Sequence, residues 1–600
     1  MSSLSPREMH DRIYANWERF YQEGRIDRRT LVKAAMVWAA GASAVPLLAA
    51  CGGDDDDDDD DEDTGGGAAT NTPEPDTDDD EPTATEAEGD DDPEPTEADD
   101  ADDDEDEDDD DSDAGDGSTL TVILSESDLP TMDPHMHNLR TGIIAFYHTH
   151  DNLGVRNAET NLIEPWLAES WENIEPTVWE MHLREGVTFH NGDPFTAETV
   201  KWNWERVINP EQASPQVGNH VAIAGVEVID EYTVHVTTTE PYPIFTERLQ
   251  NFQMIPEQLA QAEGDAYLAE NPVGTGPYML EEWRKGQEII LARNDNYWHP
   301  DVDAAYERVI LRIVPGLPTQ LAELLAGNAD IIRVVPFDQM ETVENSGIAT
   351  PVTQPILRVG MVRLDAMGRS GSSPFEDVLV RNAANHAVDI EGYIASLQPG
   401  GDRAPALLNP KHFGFDPSVE PHAYDPDLAR ELLAEAGYPD GIDVTWLKGP
   451  SSMPNQDQVD QAMQRDLEAV GIRAEFEVLS DGNVFTTRHN EGNGGDMMNY
   501  NWGSYSVFDA DGIYWDMLHS SSIFTYYNNE ELDRLLEEGR GSLDPDERIQ
   551  IYADAQRIVR EEAPVIFMWG FHSVWGVNNN VEWTPRPDEI DMYFTARPSS

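Results

Sequence analysis

One cysteine occurs in 600 residues, Cys51, so a disulfide within the chain is excluded. Lysine is almost as scarce: Lys33, Lys201, Lys285, Lys411 and Lys448 are the full set, and arginine supplies the rest of 37 basic side chains against 119 acidic ones. The resulting net charge of −82 makes nucleic acid and anionic membrane surfaces poor partners. Catalytic signatures are missing too. There is no His-Glu-x-x-His, no Gly-x-Ser-x-Gly elbow and no Gly-x-x-x-x-Gly-Lys-Ser/Thr phosphate loop. No lysine stands beside a candidate nucleophile, and generic Asp/Glu pairs carry no weight in so acidic a chain. The sequence therefore reads as a non-enzyme. The alternative, a surface hydrolase working with two carboxylates, would show itself by turnover.

What is present is distributed unevenly. Residues 54–117 contain 37 Asp and Glu and no Lys or Arg, with Pro, Gly, Thr and Ala between them. Such a stretch has almost no apolar area to offset its ordering entropy, and like charges extend it; residues 51–117 are expected to form a disordered acidic linker. Residues 118–600 hold 77 acidic and 30 basic side chains, a net of −47. Self-repulsion of that size destabilises a compact state in dilute buffer. Molar salt shrinks the screening length to about 3 Å and removes it, so the composition points to a halophile.

The N-terminal 50 residues read as an address. Asp27-Arg28-Arg29-Thr30-Leu31-Val32-Lys33 leads into an apolar stretch, 34–50, too short to span a bilayer comfortably. Leu48-Ala49-Ala50-Cys51-Gly52 follows. A basic region, a short apolar region and small residues before a cut describe an export signal. Arg28 and Arg29 resemble a twin-arginine motif, and Cys51 after Leu-Ala-Ala resembles the lipobox of lipoproteins. Two acyl chains on Cys51 suffice for stable membrane anchoring.

From residue 118 the pattern becomes that of a folded α/β protein. Residues 120–124, 179–183, 226–229, 233–237, 289–292 and 309–313 read as strands, 179–183 by alternation of large apolar and polar residues. Thr196 reads as the N-cap of a helix through Val200, Trp204 and Val207. Helices are also expected at 319–325, 380–390, 426–436, 458–470 and 544–561. Strands at 444–447 and 474–478 flank the helix at 458–470, giving a β-α-β unit with a parallel sheet. About 480 residues exceed one core, so two lobes are expected.

Several stretches in order resemble the extracytoplasmic solute-binding proteins of family 5, the peptide/nickel type of ATP-binding-cassette (ABC) importers. They are Leu167-Ala168-Glu169-Ser170-Trp171, the run from Leu183-Arg184-Glu185-Gly186-Val187 through His190-Asn191-Gly192-Asp193-Pro194 to Glu198, and Asp230-Glu231-Tyr232-Thr233-Val234. Asn271-Pro272-Val273-Gly274-Thr275-Gly276-Pro277-Tyr278, Asn294 with Tyr297-Trp298, Asp377 to Ala383, Asp425 to Gly437, and Asp544 to Arg548 with Ala563-Pro564 continue the series. The resemblance implies a two-lobed periplasmic-binding-protein-like α/β fold of the cluster C type with an inserted subdomain. Lobe I is expected at 118–357 plus 571–600, including the insert at about 150–270, and lobe II at 358–570. The chain would cross near 358–365 and return near 566–572. The implied function is capture of a peptide or similar small solute by a monomer that passes it to permease and ATPase subunits, without a cofactor. Nickel, haem and oligosaccharide carriers are the alternatives within the family.

The stretch Tyr500-Asn501-Trp502-Gly503-Ser504-Tyr505-Ser506-Val507-Phe508-Asp509-Ala510-Asp511 resembles the region where members carry ligand-facing aromatics and, in peptide binders, an Asp for the peptide ammonium. Here Ser504-Tyr505-Ser506 stands nearest that Asp. Tyr500, Trp502, Tyr505 and Asp509 are the candidate ligand contacts, with His137 and Asn138 facing them from the first lobe. Aromatic rings give apolar contact at low entropic cost. Trp171, Phe189 and Tyr232 read as packing, and the glycines of 274–276 as residues needing unusual backbone angles. His135, His137, His148 and His150 lack the third converging ligand that a metal site requires, so no metal is expected.

Overall fold

The computed structural model describes residues 119–124, 129–137, 139–450, 453, 455–503 and 507–599. Arg28, Arg29, Cys51, the acidic linker, Asn138 and Ser504 to Ser506 with Tyr505 lie outside them.

Two long strands organise the fold. Ala349–Leu364 and Val565–Asn578 run antiparallel through the middle of an 11-stranded sheet. On one side of the pair lie Ile331–Ile332, Thr119–Leu124, Arg308–Ile313, Glu288–Arg293 and Tyr278–Arg284, in that order. On the other lie Met497–Trp502, Ile442–Lys448 and Ile472–Val478. Each long strand therefore serves both halves: residues 349–355 pair with 572–578, residues 359–363 with 565–570, and residues 359–364 with Met497–Trp502.

The register between the long strands shifts twice, between Pro355 and Val359 and between Val359 and Met361. Proline cannot donate to a ladder, and bulges bend a strand, so the two halves meet at a break in regular pairing. The freed backbone groups find other partners. Asn409 Nδ2 donates to the carbonyls of Ile356 (3.3 Å) and Leu357 (3.0 Å), and Leu357 N–H donates to the Pro587 carbonyl (3.2 Å). Gly360 is required here because a Cβ would lie 2.8 Å from the Phe571 ring.

The second half is a three-layer sandwich, and its strands show why. Val359 and Met361 face a cluster with Ile513, Leu535 and Tyr552, whereas Val362 and Leu364 face the other, with Val380, Leu433 and Trp446. A strand buried on both faces carries apolar residues at odd and even positions alike. Helices Val378–Ala387, Pro426–Glu435 and Gln456–Val470 cover one face, and Ala510–Leu518, Glu530–Gly541 and Pro545–Glu562 the other. Ile442–Lys448 and Ile472–Val478 pair in parallel around Gln456–Val470, the expected β-α-β unit.

A separate four-stranded antiparallel sheet is built from Ala168–Glu175, Val178–Leu183, Thr233–Thr238 and Ile223–Asp230. Helix Ala197–Ile208 closes its core with Val200, Trp204 and Val207. Thr196 sits at the N-cap, its amide donating to Thr199 Oγ1 (3.3 Å). Phe189 is inside this core, with Trp171 and Tyr232 packed on it.

Two expectations need correction. The helix foreseen at 380–390 ends at Ala387, because Asp389 caps a new helix, Ile390–Leu397, by accepting from Gly392 N–H (3.0 Å). Gly274 and Gly276 do not have positive φ. They permit close approach instead: a Cβ would fall 2.1 Å from the Thr149 carbonyl oxygen at Gly274 and 2.5 Å from that of His148 at Gly276.

Candidate ligand-binding site

Strand Met497–Trp502 lies beside Ala349–Leu364 with Tyr500 opposite Met361 and Trp502 opposite Val359. Alternation turns Met498, Tyr500 and Trp502 toward helix Ala510–Leu518, which shields the strand only in part. Tyr500, Trp502 and Phe524 are half-buried and form a ladder: Tyr500 to Trp502 6.4 Å at 17°, Trp502 to Phe524 6.1 Å, with His489 stacked on Tyr500 at 4.8 Å. Trp502 Nε1–H is fixed by the Gly512 carbonyl (3.1 Å). Burial pushes the Tyr500 hydroxyl pKa up, against the pull of Arg363.

Residues from the first half reach this region. Phe508 N–H donates to Glu247 Oε2 (3.0 Å), and that same oxygen pairs with Arg156, whose guanidinium carbon lies 4.0 Å over the Phe508 ring. Arg248, beside Glu247, donates to the Tyr242 hydroxyl (3.2 Å) and to Asn219 Oδ1 (3.2 Å). Burial disfavours its charge, but Tyr242 and the carboxylates Asp516 and Asp511 across the junction outweigh that and raise its pKa. Burial raises Asp516 to about 6, against the stabilising charges of Arg540 and Arg248. The arrangement is an aromatic wall on one side of the junction and alternating charges on the other, suited to holding an amphipathic solute.

The structure brings Tyr500 and Trp502 together and places two other candidates among partners of their own. Asp509 is buried, pairs through both oxygens with Arg548 (2.7 and 2.8 Å) and caps helix Ala510–Leu518 by accepting from Asp511 N–H (2.9 Å). Its lone pairs are taken up by partners within the second half. His137 is buried against Phe146 (5.0 Å), so close to Gly142 that a Cβ there would touch its ring, and its carbonyl accepts from Gln216 (3.1 Å). The residues that do cross to the aromatic run, Arg156 and Glu247, carried no local signal in the sequence. The four early histidines are all buried. Burial lowers His135 to about 3 and His137 and His148 to about 4, and holds His150 well below its ordinary value. Each is occupied by a local partner or ring, and no three His, Cys, Asp or Glu among the described residues could hold a metal ion.

Residues 163–525 match the family model of the bacterial extracellular solute-binding proteins, family 5. The chain belongs to that family. Its members are transport binding proteins rather than enzymes. This family 5 protein is 28% identical over 436 residues to the haem-binding protein A of Haemophilus influenzae, covering 67% of the chain and 78% of the relative. It is 27% identical over 461 residues to the glutathione-binding protein GsiB of Salmonella typhi, covering 74% and 88%. The structure of the periplasmic binding protein DppA from Helicobacter pylori in complex with the peptide STSA superposes with a TM-score of 0.67, at 25% identity over 80% of this chain and 98% of that one.

The motif residues of this family 5 chain converge on one buried carboxylate. Asp151 Oδ1 accepts from Trp166 Nε1 (2.7 Å) and the Tyr297 hydroxyl (2.9 Å), and Oδ2 from Thr275 (2.9 Å) and Trp298 Nε1 (2.7 Å). The Gly-Thr-Gly turn, the Tyr-Trp pair and the entry to the antiparallel insert are thereby tied together. Among the described residues no helix is long and apolar enough to cross a membrane.

Proposed function

We propose that this chain is the exported, lipid-anchored receptor of an ABC importer, a monomer that closes two lobes over a peptide or comparable small solute and presents it to the permease. Lobe I comprises 118–357 with 571–600 and lobe II 358–570, hinged where the long strands lose register. The observation that carries the reading is the half-buried ladder of Tyr500, Trp502 and Phe524 beside the junction, where Glu247 and Arg156 of the first half meet Phe508. Half-buried aromatics that a protein leaves uncovered at such a place serve binding better than packing. The relatives' cargoes of haem, glutathione and peptide span polar and apolar chemistry, which a mixed wall of rings and charges accommodates. Closure stabilised by ligand is what lets a transporter tell loaded from unloaded receptor.

The direct test is titration of the mature protein with pooled peptides, read as a thermal shift. Trp502→Ala is expected to lose roughly 1–3 kcal/mol of binding, in the range of interface aromatics. Binding that survives Trp502→Ala unchanged removes the ladder from the site.

Cys51 is read as the lipidated mature N-terminus, reached through a twin-arginine signal. Cys51→Ser is expected to release the protein from membranes or leave an uncleaved precursor, and Arg28→Lys with Arg29→Lys to block export. Unchanged mass, fractionation and export would contradict this. A halophilic origin makes a further demand: with −47 on residues 118–600, the melting midpoint is expected to climb steadily from low to molar KCl as the screening length falls to about 3 Å. A flat or falling midpoint excludes it.

A further inference from the structure

Arg363 lies on the central strand two residues beyond Met361, on the face that carries Tyr500, and is 4% exposed. Its guanidinium carbon sits 4.4 Å from the Tyr500 ring centroid and 5.2 Å from that of Tyr526. Nη2 donates to Met517 Sδ (3.0 Å); Nη1 is buried and has no acceptor among the described residues. Asp365, two residues on, accepts instead from the amides of Arg369 (2.8 Å) and Ser370 (2.7 Å). The other strong charge acting on Arg363 is a second cation, Arg369, which stacks on Tyr526 at 4.9 Å and donates to the carbonyls of Ile523, Thr525 and Asn490. Burial lowers the Arg363 pKa to about 10, so it stays charged at neutral pH. His489 completes the enclosure. It is fully buried, stacks on Tyr500 and Phe524, lies tilted against Tyr526, and has an Nε2 likewise without a partner among the described residues. Burial and the Arg363 charge hold it neutral, at about 2.

Among the described residues no carboxylate is placed against this guanidinium, in a chain rich in them. Burying an unpaired cation is costly, and weak acceptance by a thioether returns little of it. The tyrosine faces recover part through the ring quadrupole. They act on the faces of the guanidinium plane, however, and its N–H donors lie in the plane, where a carboxylate would bind through a fork of parallel hydrogen bonds.

We propose that Arg363 anchors a carboxylate of the cargo at the inner end of a pocket walled by Tyr500, Trp502, Phe524 and His489. The inference rests on the reading of that aromatic ladder as the ligand wall, and it narrows the cargo to carboxylated solutes: an acidic peptide, or another organic acid slender enough to pass between the rings. Long-range attraction does not deliver such an anion to a chain of this charge, so recognition is a short-range matter of desolvation and geometry.

The test uses the full mature chain in molar KCl with succinate as probe, succinamide as its neutral isostere, and added KCl at equal ionic strength as control. Melting midpoint and tryptophan fluorescence are read together. Succinate is expected to give a saturable response that succinamide and KCl do not. Arg363→Met is expected to bind succinate at least tenfold more weakly while melting higher than the parent without succinate, since a buried unpaired charge has been replaced by an apolar side chain. Arg363→Lys, which keeps the charge without the fork, is expected to fall between them. Equal responses to succinate and succinamide, a response reproduced by chloride, no response of the parent protein, or an Arg363→Met that responds like the parent each overturns the proposal. Should Arg363→Met fail to fold, the probe pair and Arg363→Lys decide. A protein that binds pooled peptides through Trp502 yet ignores the carboxylate refutes the anchor alone; loss of both responses refutes the ligand wall as well.

Discussion

Replacing Asp509 with alanine is expected to unfold the second lobe at far lower denaturant, rather than to weaken capture selectively. The carboxylate faces Arg548 across two hydrogen bonds, and Arg548 is itself enclosed, over Phe413 at 4.9 Å and Tyr552 at 5.3 Å, with Nε on the Gly539 carbonyl (2.9 Å). Removing one member of such a pair leaves a buried charge unmatched, at a cost of about 3–5 kcal/mol. The same change deletes the N-cap of helix Ala510–Leu518, worth ~1 kcal/mol more. Asp509→Asn keeps an acceptor for the cap but not the charge, and is expected to fall between parent and alanine. Urea unfolding of the three proteins at fixed molar KCl measures the series. An Asp509→Ala protein with an unaltered midpoint and lost binding would instead make Asp509 a ligand residue.

Asp151→Ala is expected to be comparably damaging, for a different reason. No single partner is charged, yet four side-chain donors from three separate segments point at the two oxygens. Without an acceptor, Trp166, Tyr297, Trp298 and Thr275 lose charge-assisted bonds together, and each buried donor left unpaired costs about 1–3 kcal/mol. Some will find water, so a net loss on the order of 4 kcal/mol is the expectation. Asp151→Asn offers one acceptor oxygen and turns an amide donor toward other donors, so rescue is expected to be small. A midpoint shift of less than a degree for Asp151→Ala would show that the node holds nothing together.

The parts of this fold written in short-range pattern were legible. Alternation at 179–183, the 3–4 spacing of Val200, Trp204 and Val207, and the β-α-β unit around Gln456–Val470 each rest on residues close in sequence, where the side-chain period and the buried face correspond directly. The break at Asp389 was missed because a capping side chain competes with a helical period that continues across it. The glycines at 274 and 276 were identified, but their cause was not: close approach to Thr149 and His148 is a tertiary fact. The site divides the same way. Tyr500 and Trp502 stood out as rings in a short run, whereas the contact of Glu247 with Phe508 joins residues 261 positions apart and leaves no local trace. In the sequence Arg363 is one more arginine in an arginine-dependent chain; only the aromatic enclosure around it reveals that it lacks a carboxylate partner among the described residues.

The central claim is that the protein captures a solute between its halves and releases it unchanged. The measurement that tests it most directly is to purify the protein from its native cells, release what it carries by unfolding, identify that solute by mass spectrometry, and titrate it back onto the refolded protein. The account predicts saturable binding of one solute per chain, weakened in Trp502→Ala, with the solute recovered chemically intact after prolonged incubation. Conversion of the solute to product, or refolded protein that binds no solute at all, would contradict it.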